Sequence, residues 1–175
     1  FGEDHYKLAA NLYGLGLILS DQGKLEQANK AFVRAMELLE DQEVDQSLRP
    51  LIAASRAQVL ADQSKEEEAE KTFELAIELA REIHGPEHER TAHALLSSGH
   101  YYAMRDFAKA ADLFEQAVAI YEKENGDAGY SIRTAKADLA LTYHLSGERE
   151  KALELGKQAL ELDYERWRRI LTYFS

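Results

Sequence analysis

The sequence predicts an all-α solenoid of about four helix–turn–helix repeats, followed by a C-terminal helix. Three observations carry this. The first is a fixed beat: Ala28, Ala69, Ala110 and Ala152 stand 41, 41 and 42 residues apart. Ala35, Ala76, Ala117 and Ala159 keep the beat seven residues later, and Gly23, Ser64, Arg105 and Gly147 five residues earlier. A period of about 20–50 residues marks a stacked repeat, each unit burying its apolar face against the next. The second is that every unit holds two apolar stripes of helical spacing around a short polar turn. The third is composition: two prolines and abundant Ala, Leu, Glu, Lys and Gln favour helix throughout the 175 residues.

The elements run in order along the chain. Leu12, Leu15, Gly16 and Leu19 share one face of a first helix, and Asp21-Gln22-Gly23-Lys24 breaks it. The second helix carries Leu25, Ala28, Phe32, Ala35, Met36 and Leu39. Its counterparts are Ala69, Phe73, Ala76, Ile77 and Ala80, then Phe107, Ala110, Phe114, Ala117, Val118 and Tyr121. In the fourth unit they are Ala152, Leu155, Ala159, Leu160 and Leu162. Ala recurs where two helix backbones approach closely, with Phe filling the adjacent gap. Ser64-Lys65-Glu66-Glu67 reads as a capping box and Asp106 as an N-cap. Glu26 and Glu150 place negative charge at helix N-termini. Pro50 and Pro86 fall between units, where a helix can start but not continue. Gly2-Glu3-Asp4-His5 echoes Gly85-Pro86-Glu87-His88 two periods later. Residues 1–8 are therefore expected to end an inter-repeat loop, as in a piece cut from a longer array.

Composition excludes several classes. The net charge of −11 opposes nucleic-acid binding, which needs Lys and Arg to displace counterions. The basic cluster Arg166, Arg168 and Arg169 reads as a solvated helix face. No apolar run approaches the roughly 20 residues of a membrane span, so no membrane partner is expected. The lack of Cys excludes disulfides and thiolate metal sites and fits a cytoplasmic chain.

Chemistry is sparse. His84-Gly85-Pro86-Glu87-His88 matches the letters of an inverted zinc-protease motif, but that chemistry needs both histidines on one helical turn. Gly-Pro breaks such a turn, and the period places the segment between repeats. His5, His93, His100 and His144 lack ligand spacing. Gly14-Leu15-Gly16 follows no strand and lacks the third glycine of a nucleotide loop. We expect no catalytic residues, no metal and no cofactor. Lys65-Glu66-Glu67-Glu68-Ala69-Glu70-Lys71 reads as a solvated helix start with a Glu67–Lys71 pair rather than an acidic docking site. Tyr101 and Tyr143 fit the buried stripe. Their neighbours Tyr102 and His144 then point elsewhere, which makes Tyr102 a candidate surface anchor.

The pattern resembles the tetratricopeptide repeat. Helix A supplies a small residue (Gly16, Ala57, Ser98, Ala140) and helix B supplies Ala28/Phe32/Ala35, Ala69/Phe73/Ala76 and Ala110/Phe114/Ala117. The fourth unit keeps Ala152 and Ala159 but carries Gly156 at the aromatic place. The period of 41–42, with Gly85-Pro86-Glu87-His88 between units, is similar to the longer kinesin-light-chain type. The resemblance implies a right-handed superhelical solenoid with repeats over 9–42, 50–83, 91–124 and 133–163 and a C-terminal helix over 164–175.

It also implies a concave groove lined by the A helices. Its candidate lining is Tyr13, Leu17 and Asp21, then Ser55, Gln58 and Asp62, then Leu96, Gly99 and Tyr102, then Thr134, Asp138 and Leu141. The Lys/Asn set of chaperone-tail-binding repeats is absent. Apolar patches with Asp21, Asp62 and Asp138 suit an extended peptide with apolar anchors and basic residues. The expected function is thus a protein–protein interaction module without enzymatic activity. An alternative is a regulatory arm of a larger protein. The tail from Tyr164 to Ser175 is similar to the segment after the repeats in proteins with a CHAT protease domain. Self-association through the terminal repeats is a third possibility, because Trp167, Ile170, Leu171, Tyr173 and Phe174 form an apolar tail that must pack somewhere.

Overall fold

A computed structural model describes residues 2–40, 45–123 and 129–173, with side chains at all of these except 2–3, 129–130, 165–167 and 169–173. Eight helices lie in that range and no strand occurs among the described residues. They are α1 (Gly2–Asp21), α2 (Leu25–Leu38), α3 (Arg49–Asp62), α4 (Glu66–His84), α5 (Glu89–Tyr102), α6 (Phe107–Lys123), α7 (Gly129–Ser146) and α8 (Arg149–Tyr173). The chain divides into two compact units, Phe1–Pro86 with α1–α4 and Glu87–Ser175 with α5–α8. Within each, a helix packs on the one before it, so two repeats join through the second helix of the first and the first helix of the second.

In the first unit, Ala28, Phe32, Ala35 and Leu39 of the second stripe are fully buried, together with Ala9, Ile52 and Val59. Leu12, Tyr13, Leu19, Leu25 and Met36 pack around them. The closest approach is at Gly16, where an added Cβ would stand 2.3 Å from the Phe32 ring. In the second unit the same approach occurs at Gly99, 2.5 Å from the Phe114 ring. Ala110, Ala117 and Ala135 are fully buried there. Two stripe residues depart from expectation. Leu15 is 47% exposed, because the inward face of α1 runs through Ala9, Leu12, Tyr13, Gly16 and Leu19 and Leu15 lies to one side of it. Leu160 is 70% exposed. It takes the place that Val118 holds in α6, but α8 has no helix on that side among the described residues.

The turns show how the repeats reverse direction. Gly23 (φ +72°) and Gly147 (φ +93°) adopt the left-handed conformation. Around Gly23, the Lys24 amide donates to the Leu19 carbonyl and the Gly23 amide to that of Ser20, at 2.9 and 2.8 Å. Glu148 and Gly147 do the same to Tyr143 and His144. This is the Schellman ending, which satisfies the orphan carbonyls of a helix C-terminus. Ser64 belongs to the same set. Its φ is +61°, and the Lys65 amide reaches the Leu60 carbonyl at 2.9 Å. The capping box expected at Ser64 is therefore absent: Lys65 is the N-cap of α4 and no side chain caps it. Ser64 ends α3 rather than starting α4. Asp106 does cap, accepting from the Lys109 amide at 3.0 Å.

Residues 2–8, expected as loop, are instead helical. The echo of Gly85-Pro86 is incomplete, since Glu3 stands where Pro86 would interrupt a helix. At the other end α8 continues through the second helix of the fourth repeat to Tyr173 without a break. The side chains of Trp167, Ile170, Leu171, Tyr173 and Phe174 lie outside the described ones, as do those of Arg166 and Arg169. Arg168 is exposed. No helix among the described residues is long and apolar enough to cross a membrane.

A non-glycine residue in the left-handed region costs roughly 1–2 kcal/mol, partly offset by the chain entropy a glycine would lose. Ser64→Gly is expected to raise the unfolding free energy by about 0.5–1 kcal/mol in urea denaturation. An unchanged or lowered midpoint contradicts the turn geometry.

Candidate peptide-binding faces

The candidate residues sit on the first helix of each repeat, and the structure sorts them by unit. In the first unit, α1 and α3 stand side by side. The Tyr13 and Ser55 hydroxyls meet at 3.4 Å across that gap. Leu17, Asp21, Gln58 and Asp62 are exposed around them, and Gln58 donates to the Asp62 carboxylate at 2.8 Å. This face offers an apolar contact, two carboxylates and a polar seam between helices.

In the second unit, His100 Nε2 and Asp138 Oδ2 are 2.8 Å apart, linking α5 to α7. The His100 ring packs edge-on to Phe114 at 5.3 Å, so the core sets its position. Thr134 is half-buried and Leu141 is 57% exposed. The remaining three candidates of this unit do not line a surface. Leu96 and Tyr102 are buried, and Gly99 lies under Phe114.

Tyr102 is the clearest correction. It is 4% exposed, its ring centroid is 4.9 Å from that of Tyr101, and its hydroxyl accepts from Lys109 Nζ at 2.8 Å. The lysine also covers the ring face at 4.1 Å. A cation from the first turns of α6 thus closes over an aromatic that helix spacing alone would turn outward. Arg105 covers Tyr101 in the same way at 4.3 Å. Tyr143 is buried as expected and its neighbour His144 is exposed. Tyr143 donates its hydroxyl proton to Glu115, and burial first, then this carboxylate, push its pKa up.

The other motifs resolve into local structure. Glu67 and Lys71 pair at 2.6 Å on an exposed helix start. The lysine's hydrogen bond holds the Glu67 carboxyl below its ordinary pKa. Gly85 leaves the helical region at φ +100°. His84 ends α4, its Nε2 3.2 Å from the Ser47 carbonyl, while His88 caps α5 by accepting from the Arg90 amide. No group of three or more metal-ligating side chains converges among the described residues.

A tetratricopeptide repeat family model matches residues 50–123 and 98–165, and a second matches residues 9–41. The chain belongs to the tetratricopeptide repeat family. Solved structures of similar fold include BtubC (BKLC) from P. vanneervenii, 20% identical with a TM-score of 0.78. The match covers 91% of this chain and 64% of that one, so the chain spans less than two thirds of that relative. A Podosopora anserina protein with nearly identical TPR-like repeats, described as a kinesin light chain, is 19% identical with a TM-score of 0.71, covering 91% and 76%. MamA from Desulfovibrio magneticus RS-1 is 17% identical with a TM-score of 0.63, covering 90% and 76%. At such identities these likenesses speak for the fold. They include kinesin-light-chain-type TPR proteins, the type the 41–42-residue period resembles. No curated protein matches the sequence.

The burial of Tyr102 separates TPR residues that hold the fold from those left at the surface. Tyr102→Ala is expected to cost about 3 kcal/mol, whereas Asp62→Ala should change stability by less than about 0.5 kcal/mol. Urea unfolding of the two variants measures this. A Tyr102→Ala as benign as Asp62→Ala contradicts the packing.

Proposed function

We infer that the chain is a protein–protein interaction module, the general role that its TPR fold supports. We propose that its ligand is an extended peptide segment laid along the A helices, with apolar anchors and basic side chains. The observation that supports this most is the α1–α3 face. The Tyr13–Ser55 contact brings two first helices together, and Leu17, Asp21, Gln58 and Asp62 stay exposed beside it. A peptide's apolar side chain would rest on Leu17 while its Lys or Arg meets Asp21 and Asp62. Complementary charge adds to encounter rate and orientation more than to raw affinity. In the second unit the residues open to the same use are Thr134, Asp138 and Leu141. Leu96, Gly99 and Tyr102 serve packing instead.

Selection from a random-peptide display library is the direct test. Enriched peptides are expected to combine apolar and basic residues. Their affinity should fall about tenfold or more, roughly 1.4 kcal/mol, for the Asp21→Lys/Asp62→Lys variant. If no enriched peptide loses affinity for this variant, the α1–α3 face is rejected.

A further inference from the structure

We propose that the cleft between α6 and α8, floored by α7, is a second docking site, for a short peptide segment whose apolar side chains are flanked by lysine or arginine. It lies wholly within the second unit and on its B-helix side, apart from the A-helix residues considered above. Its volume is about 560 Å³, within the range of roughly 300–1,000 Å³ typical of ligand sites. That is room for one or two large side chains, not for a folded domain. Val118, Ala119, Leu139 and Leu155 supply an apolar lining.

Charge decides the occupant. Glu115, Glu122, Glu150 and Glu154 surround the apolar lining. Three of them are held in place: Glu115 by the Tyr143 hydroxyl, Glu122 by Lys136 Nζ at 2.8 Å and Glu154 by the Gln158 side-chain amide at 3.1 Å. Lys136 is itself buried and also reaches Gln158 at 2.7 Å. Lys151, which also lines the cleft, is committed to Glu148 at 2.7 Å and lies over the Tyr143 ring. The rim is therefore net negative beside an apolar lining, where carboxylates attract a cation more strongly than in open water. Stacking does not require this pattern. The positions of Glu115 and Glu154 are occupied by Val33 and Lys71 in the first unit, which is built from the same helix pairs. Like charges gathered around an apolar hollow oppose one another until an opposite charge arrives, which singles out a basic–apolar segment over an acidic one.

Fluorescence anisotropy with a fluorescein-labelled Lys-Lys-Leu-Phe-Leu-Lys-Lys peptide tests the proposal on the whole chain. Saturable binding is expected, weakened at least about tenfold by Ala119→Trp. That change fills the cleft from an exposed position of α6 without altering charge. Glu154→Lys, which installs the first unit's residue, should weaken binding to a similar degree. The measurements are made in the Asp21→Lys/Asp62→Lys background, which closes the α1–α3 face to the same peptide, so that the binding read is that of the cleft. A comparator peptide with alanine in place of Leu-Phe-Leu should also lose at least about tenfold. The proposal is overturned by absence of saturable binding in that background, by full binding when Ala119→Trp is added to it, or by equal affinity for the alanine peptide.

Discussion

The structure depends on an aromatic ring lying against bare helix backbone. Phe32 faces Gly16 and Phe114 faces Gly99 so closely that no β-carbon fits between them. The alanines on either side of each Phe are fully buried. A wide ring flanked by methyl groups makes a surface that a neighbouring helix approaches most closely where it has no side chain of its own. This contact sets the spacing in the first and third repeats, one in each unit, while the second buries Phe73 between Ala69 and Ala76 and carries the small Ala57 on its first helix. The fourth repeat lacks the ring. Gly156 stands at the aromatic place with open space around it, and α8 exposes Leu153, Leu160 and Tyr164.

Packing of this kind leaves two kinds of surface outside the core. Where first helices adjoin, polar seams form, Tyr13–Ser55 in one unit and His100–Asp138 in the other. Where second helices diverge over the next first helix, a hollow is left, as between α6 and α8. The exposed side chains of these surfaces, such as Asp21, Asp62 and Glu154, do not close the core and can vary while the fold is kept. Function in a TPR protein resides in such grafted residues rather than in the stack.

The fold was legible because its signals are local and repeated. The alanine beat, the Phe between alanines, the turn glycines and the Asp106 cap each have a fixed place in the period, and the structure uses them there. What escaped depends on contacts between elements. Ser64 looked like a cap because Ser-x-x-Glu favours one, yet its place in the beat is that of Gly23 and Gly147. That alignment was the signal that it would turn left-handed. Tyr102 looked exposed by helical spacing alone, whereas Lys109, seven residues on, covers it. Gly99, adjacent to the expected small residue Ser98, takes the ring contact because its missing side chain admits Phe114, while Ser98 is buried with its hydroxyl on the Ala94 carbonyl. No sequence period records which of two neighbouring small residues a ring will choose.

The ring-on-backbone contact is tested most directly by paired glycine substitutions in one helix. Gly14 and Gly16 both lie in α1, but a Cβ at Gly14 meets nothing within 4 Å whereas one at Gly16 meets Phe32 at 2.3 Å. Helix propensity alone favours alanine at both by roughly 0.5–1 kcal/mol. Thermal and urea unfolding should show Gly14→Ala stabilised by about that amount and Gly16→Ala destabilised by about 1–3 kcal/mol. Equal stabilisation by both would show that the ring does not rest on the helix backbone, and the account of the stack would fail with it.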